Sequence, residues 1–260
     1  MYLSRTTPAL IALACLTAPF LKAQAPELSL DQIIAKHFEA EGGIEKQKAT
    51  QTQRVTAHLV GMPMEIKFVT EHKRPSFVRV DQTVQGQTAT EAYDGKTGWK
   101  VNPFAGYGGG KAVEAMTAEE LSNFEIEADI NGPLMDYKTK GHAVELLGTE
   151  SAEGVSAYKL KITLKNGQVQ IHYFDTESFL RTKQIIKRKE RGQDVELEMI
   201  LGDYKEVDGI LTPFSFEIGA PGSTQKAKVR IDKVEFNIPI EDSRFKAPAT
   251  PAPKSDEKKG

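Results

Sequence analysis

Cysteine is almost absent from this 260-residue chain: Cys15 is the only one. No disulfide framework can staple the fold, and no cysteine pair can serve redox or zinc chemistry. Long apolar runs are missing too. Residues 9–21 are broken by Thr17 and Pro19 and fall short of the roughly 20 residues that cross a bilayer. Neither sign of charge dominates, because 34 Lys and Arg face 36 Asp and Glu. That balance supplies no electrostatic field for nucleic acid or for an anionic membrane surface. Catalytic frames are lacking as well. Ser76, Ser122, Ser151, Ser156, Ser215 and Ser223 never sit in G-x-S-x-G, and His37, His58, His72, His142 and His172 form no pair at H-x-x-x-H spacing. The stretch "FAGYGGGKAVEAMTAEEL" at 104–121 holds a Gly-Lys step, but Gly106 and Gly110 enclose three residues rather than four and Ala112 replaces the magnesium-binding hydroxyl. These absences exclude the familiar nucleotide, metal and nucleophile sites and point to a protein that is not an enzyme and carries no cofactor.

What is present begins with a secretory leader. Arg5 supplies a positive n-region, the apolar run follows, and Ala23-Gln24-Ala25 is a small-x-small cleavage site, so residues 1–25 read as a signal peptide. Its removal deletes Arg5, Lys22 and no acid, leaving 32 basic against 36 acidic residues, about −4, and no cysteine. A lipidated Cys15 is the alternative start, although Ala12 stands where a lipobox usually has leucine. At the other end, 247–260, "APATPAPKSDEKKG", is proline-rich and then charged, which marks a disordered tail. Residues 26–246 are long enough for one large domain.

Hydrophobic periodicity divides that domain. Ser29 and Gln32 have capping-box spacing, and Leu30, Ile33, Ile34, His37 and Phe38 recur at helical intervals up to Gly42-Gly43. His37 lies on the apolar stripe of this amphipathic helix, as a packed core histidine would. A short helical piece at 44–49 follows. From residue 52 to 101 the period becomes two. Val55, Ala57 and Leu59, then Met64, Ile66 and Phe68, then Val78, Val80 and Val84, then Trp99 and Val101 are separated by turn signals. The alternation resumes at 144–147 and at Tyr158, Leu160, Ile162 and Leu164. After Asn166-Gly167, Val169, Ile171 and Tyr173 lie across a tight hairpin, and further strands are expected at 180–189, 195–204, 210–218 and 227–236. Alternation of this kind makes an antiparallel meander with one apolar and one wet face. The basic run "KQIIKRKER" at 183–191 belongs to its solvated side.

Between the two strand runs, Thr117 and Glu120 form a second capping box, and Gly132-Pro133 ends the helix and can start another short one. Leu121, Phe124 and Ala128 fall on one side of this helix; Ile126 and Ile130 point roughly the opposite way. Two readings stay open: a helix simply buried in the core, or a lid that covers a greasy cavity and swings on Gly108-Gly109-Gly110. The carboxylates Glu125, Glu127 and Asp129 nearby read as a solvated acidic face.

The segments "IIAKHFEAEGGIEKQKAT", "AYDGKTGWKVNPF", "AYKLKITLKNGQVQIHYFD" and "FNIPIEDSRFKAP" extend over nearly the whole domain. Taken together they resemble the LolA-like outer-membrane lipoprotein-sorting family. The resemblance implies a mainly β (α+β) fold: a large antiparallel, unclosed β-barrel, or half-barrel, with an N-terminal helix and a mid-chain helical lid. It implies a periplasmic carrier whose concave side takes the acyl chains of lipoproteins or other lipids, exchanging them with membrane-bound donor and acceptor proteins. The lid-contacting arginine of that family matches Arg54, with Arg74 and Arg79 as alternatives. On this reading Val55, Leu59, Ile66, Phe68, Val78, Val80 and Trp99 form one wall of the ligand site. Tyr158, Leu160, Ile162, Ile171 and Tyr173 continue it, and Leu121, Phe124, Ile126 and Ile130 form the lid. The alternatives are a sensor or scaffold of the same fold with a packed interior, and an enzyme using an unfamiliar arrangement of carboxylates.

Overall fold

The computed structural model describes residues 28–103 and 113–248. The expected leader, the glycine hinge at 108–110 and all but the first two residues of the expected tail lie outside these residues. Ser29 caps the first helix, α1 (Leu30–Ala40), through the reciprocal pair of hydrogen bonds with Gln32 that the spacing predicts. A one-and-a-half-turn helix, α2 (Ile44–Ala49), leads into the sheet. Gly42 between them cannot be replaced by any other residue: its φ is +101°, and a Cβ there would lie 2.0 Å from the carbonyl oxygen of Gly209.

Among the described residues thirteen antiparallel strands form one sheet. The first run comprises β1 (Thr52–Val60), β2 (Ile66–Lys73), β3 (Phe77–Val84), β4 (Gln87–Asp94), β5 (Gly98–Val101) and the two-residue β6 (Glu114–Ala115). The second comprises β7 (Ala143–Ala152), β8 (Val155–Thr163), β9 (Val169–Asp175), β10 (Arg181–Glu190), β11 (Gln193–Val207), β12 (Ile210–Gly219) and β13 (Ala227–Phe236). Each run is a meander, and the two join where β1 pairs with β13, so the spatial order runs from β6 through β1 and β13 to β7. The sheet does not close. Its edges are β6 and β7, and the chain between them carries the central helix, α3 (Ala118–Glu127), capped by Thr117 and Glu120. Residues 130–141 continue as turns rather than as the second short helix that Gly132-Pro133 suggested, and they bury Leu134 and Met135.

Both helices lie on the same, inner face. Ile33, Ile34 and Phe38 of α1 pack with Leu134, Met135, Leu160, Ile162, Leu164 and Phe174. On the other half of the sheet Phe124 and Ala128 pack with Val78, Tyr93 and Met116. The 3₁₀ turn Asp242–Phe245 covers part of the outer face. Glu71, only 1% exposed, is held there by Arg54 (Nε to Oε1, 2.8 Å) and Arg244 (Nε to Oε2, 2.5 Å), and Arg79 donates to the carbonyl of Arg244 at 2.8 Å. A buried carboxylate bonded by two guanidinium groups is a costly arrangement to break, and it pins the C-terminal turn to β1–β4.

Candidate functional site

Partners across an antiparallel ladder share a face, so the register decides which expected wall residues meet. The rows Val55–Thr70–Val80 and Ala57–Phe68 place Val55, Phe68 and Val80 on the inner face, and Ile66 and Leu59 follow by alternation. His72–Val78–Tyr93 adds Val78. In the second half, Leu146–Leu160–His172–Gln184 and Val144–Ile162–Gln170–Ile186 put Leu160 and Ile162 inside, with Tyr158 beside Phe174.

Three expected wall residues sit on the opposite face. Trp99 pairs with Ala92, in the row of Arg79 and Glu71, and its indole N–H donates to the carbonyl of Phe245 at 2.8 Å. The turn at 94–97 brings Gly98, not Trp99, opposite Tyr93, and on the outer face the indole meets the C-terminal turn through its bond to Phe245 and the guanidinium of Arg79, 5.7 Å from the ring centroid. Ile171 and Tyr173 pair with Lys161 and Lys159. A two-residue Asn166-Gly167 turn would have matched Ile162 with Ile171. The observed turn is closed instead between Leu164 and Gln168, which shifts the register by one residue and exchanges the faces. Ile171 and Tyr173 then join Ala152 and Ala157 in a separate outer cluster, while Phe174 and His172 turn inward.

The two sides of α3 serve two different cores. Leu121, Phe124 and Ala128 pack against β3 and β4, Ile126 packs against the α1 core, and Ile130 borders a cavity beyond the helix end. A helix wedged between the two arms of an open sheet needs apolar residues on both sides, which explains why its sequence shows no single stripe. Gly98 makes room for it: a Cβ there would lie 2.3 Å from Sδ of Met116 and 2.8 Å from Cδ2 of Leu121. Polar bonds hold its solvent side. Glu119 accepts from the backbone N–H of Gly192 at 3.0 Å and from that of Arg191, Asn123 donates to Lys189 O at 3.3 Å, and Gln168 donates to Asn123 at 2.8 Å. Lys100 bonds Glu120 at 2.6 Å from the other arm.

None of Arg54, Arg74 and Arg79 reaches α3. Arg54 and Arg79 belong to the outer network, and Arg74 donates to Thr50 O at 2.7 Å. The contact from the first meander to the end of the lid is made by His72, whose Nε2–H donates to Glu127 O at 3.0 Å.

Between α1, the C-terminal end of α3 and the sheet lies a cavity of about 440 Å³ whose walls are mixed rather than apolar. Apolar contributions come from Phe38, Ile130, Leu134 and Phe236; polar ones come from His37, Glu41, His72, His172, Arg181 and Gln184. His37 Nδ1–H donates to Phe179 O at 3.0 Å, leaving its Nε2 lone pair 3.6 Å from Oε2 of Glu41. Burial, assisted by Arg181, lowers the His37 pKa to about 3, and burial lowers His72 and His172 as well. Burial also raises the Glu41 carboxyl to about 7, against the pull of Arg181. The imidazoles are therefore neutral and Glu41 is largely protonated below neutral pH. Sequence reasoning missed this constellation. It treated His37 as a core residue, and His72, His172 and Arg181 come from distant strands with no spacing to connect them.

A single antiparallel sheet, unclosed, with an N-terminal helix and a helix between its two edges filling the concave side, is a LolA-like fold. Solved structures bear this out. A LolA superfamily protein from Nitrosomonas europaea is 12% identical with a TM-score of 0.56, over 85% of this chain and 99% of that one. A DUF1329 family protein from Desulfovibrio piger is 14% identical with a TM-score of 0.54, over 83% and 96%. A domain named for outer membrane lipoprotein sorting, from Vibrio parahaemolyticus, is 12% identical with a TM-score of 0.50, over 82% and 97%. At these identities the likeness is one of fold. No family model and no curated protein matches the chain. No helix among the described residues is long and apolar enough to cross a membrane.

Proposed function

We propose that the protein is a non-enzymatic periplasmic carrier that receives the acyl chain of a lipoprotein or another lipid on the inner face of its sheet, for transfer toward the outer membrane. One observation carries this reading: the middle of that face has an apolar strip on which neither α1 nor α3 packs. Val55 and Phe68 from the first meander, and Phe216, Val229 and Phe236 from the second, are only partly buried and cluster around Ala57, Phe214, Ile231 and Val234. Leu59 and Ile66, also partly exposed, extend it toward the β1–β2 turn, where Val60, Met62 and Met64 are among the most exposed large apolar side chains. Phe236 borders both the strip and the cavity, so a chain lying on the strip leads under the lid. Each methylene buried contributes about 0.8 kcal/mol, so a sixteen-carbon chain gains on the order of 10 kcal/mol before ordering costs. The neighbour from Vibrio named for lipoprotein sorting supports the choice of ligand class by analogy of fold.

A second reading, a sensor or scaffold of the same fold, is favoured by the fully buried state of Val78, Leu160 and Ile162. The protein's own helices already cover these residues, so they contact a ligand only if α3 or α1 moves away. Native mass spectrometry of protein from the periplasm of its own host separates the two. Copurified lipid or lipoprotein supports the carrier; a clean apo mass, together with no uptake of added acyl lipid, refutes it and leaves the scaffold.

A further inference from the structure

The cavity beneath the lid holds more unmatched polarity than an acyl chain requires. Among the described residues three buried side-chain atoms lack a hydrogen-bond partner, Nδ1 of His72, Nδ1 of His172 and Nε of Arg181, and all three residues line this one cavity. Buried polar groups are almost always satisfied, and three exceptions meeting in one cavity mark a place where a ligand completes the bonding. His172 is entirely buried, and its Nε2–H is used on Gln170 Oε1 at 2.9 Å, so Nδ1 is a bare acceptor. His72 spends its Nε2–H on Glu127 O and likewise presents an unprotonated Nδ1. Arg181 is a donor of the opposite kind. Among the described residues no carboxylate ion-pairs with its guanidinium and its Nε–H has no acceptor; its hydrogen-bonding neighbour is Tyr204, whose hydroxyl donates to the Arg181 backbone carbonyl at 2.7 Å and also bonds the Arg181 side chain.

We propose that this cavity is a head-group subsite for an oxyacid amphiphile, a carboxylate or a phosphate, with an acid oxygen accepting from Arg181 while the alkyl chain runs out past Phe236 onto the apolar strip. The inference rests on the acyl-carrier reading and adds to it the chemistry of the ligand's polar end. Charge matching favours an anion. Glu41, the α1 carboxyl on which Arg181 acts, is kept largely protonated by burial below neutral pH, and Asp129 at the rim is paired with Lys140. An anionic oxygen therefore meets a guanidinium that no other acid has claimed, and charge-assisted bonds of this kind are the strong ones. The bare Nδ1 of His172 accepts an O–H from a singly protonated phosphate, or from water retained beside a carboxylate. Ordered water can satisfy the same histidines, so selectivity comes from Arg181.

The test uses the full protein and three ligands of one chain length, dodecanoate, dodecyl phosphate and dodecanol, each displacing a fluorescent acyl probe at pH 6, where Glu41 is still largely protonated. Both acids, or one of them, are expected to bind roughly tenfold or more tighter than the alcohol. A preference for dodecanoate alone assigns a carboxylate head; a preference for dodecyl phosphate alone assigns a phosphate head. Arg181→Gln should abolish the preference and leave dodecanol binding unchanged. It should unfold close to the parent, because the guanidinium has no ion pair to lose and the Tyr204 hydroxyl keeps its bond to the backbone carbonyl of residue 181. Equal binding of all three ligands by the parent overturns the subsite and leaves the acyl carrier standing, whereas failure of the probe and all three ligands to bind overturns both. A preference that survives in Arg181→Gln assigns the charge selection elsewhere and overturns the role of this cavity.

Discussion

Glu41 offers a quantitative test of the cavity's electrostatics. Its carboxyl sits at the end of α1 beside His37 and Gln47, and burial raises its pKa from 4.5 to about 7. For an acid whose folded pKa is raised, the unfolded chain releases its proton first, so the native state loses stability as pH climbs from the unfolded value to the folded one. Below pH 4.5 both states hold the proton and the group contributes nothing. Above about pH 7 both have lost it, and the native state carries a charge in a poorly hydrated site. At 1.36 kcal/mol for each pH unit, the interval from 4.5 to about 7 sets the full effect at roughly 3 kcal/mol. Glu41→Gln keeps the shape, keeps an oxygen for the Gln47 amide and cannot ionise. The variant should match the parent at pH 4 and exceed it by about 2–3 kcal/mol at pH 8, with the difference opening between pH 4.5 and 7. Urea unfolding of both proteins across that range measures it, and the comparison cancels the titration of every other group. A difference that is flat with pH would refute the reasoning. So would a variant less stable than the parent at pH 8, which would mean that Arg181 pairs with the ionised carboxylate and is not free for a ligand.

Three further outcomes rest on the placement of other residues. Trp99, 6% exposed and bonded to Phe245 O, should emit at short wavelength and stay unchanged when an acyl ligand binds; a ligand-dependent shift would place it on the inner face after all. Phe245→Ala removes a fully buried ring that packs on Phe77 in the turn whose carbonyl accepts from the indole, and should cost about 3–5 kcal/mol in chemical unfolding, with the emission moving to the red as that turn loosens. Gly98→Ala pushes a methyl into Met116 and Leu121, so it should lower stability by about 1–3 kcal/mol and speed hydrogen exchange in α3; unchanged exchange there would show that the lid does not depend on this contact.

Local chemistry made part of this architecture legible. Ser29 and Thr117 announce helices through reciprocal caps, and the period-two runs mark strands because side chains alternate across a pleat. The four late strands expected at 180–189, 195–204, 210–218 and 227–236 lie within a few residues of β10, β11, β12 and β13. Facing was harder to read where both sides of a strand are apolar. In β9, Ile171 and Tyr173 look as suitable for the interior as His172 and Phe174, and only the turn between Leu164 and Gln168 decides. Trp99 finds its hydrogen-bond acceptor at Phe245, far along the chain, and no local pattern announces that meeting. The polar cavity was invisible for the same reason: His37, His72, His172 and Arg181 each have an unremarkable neighbourhood in the sequence, and only the curl of the sheet brings them to one space.

The pairing of β1 with β13 has a consequence for how the chain acquires its structure. During synthesis β1 is made long before β13, and until β13 arrives β1 keeps one row of backbone N–H and C=O groups unpaired. Contacts between strands so far apart in sequence are slow to form, because the long loop must close before they stabilise anything. During that interval the exposed apolar strip and the open strand edge coexist on a partly folded chain, the condition under which strands add to the wrong neighbour. Closure of this one seam, rather than formation of either meander, is then the step that commits the nascent protein to its native state, and a shielding factor that binds extended apolar strands would act in that interval.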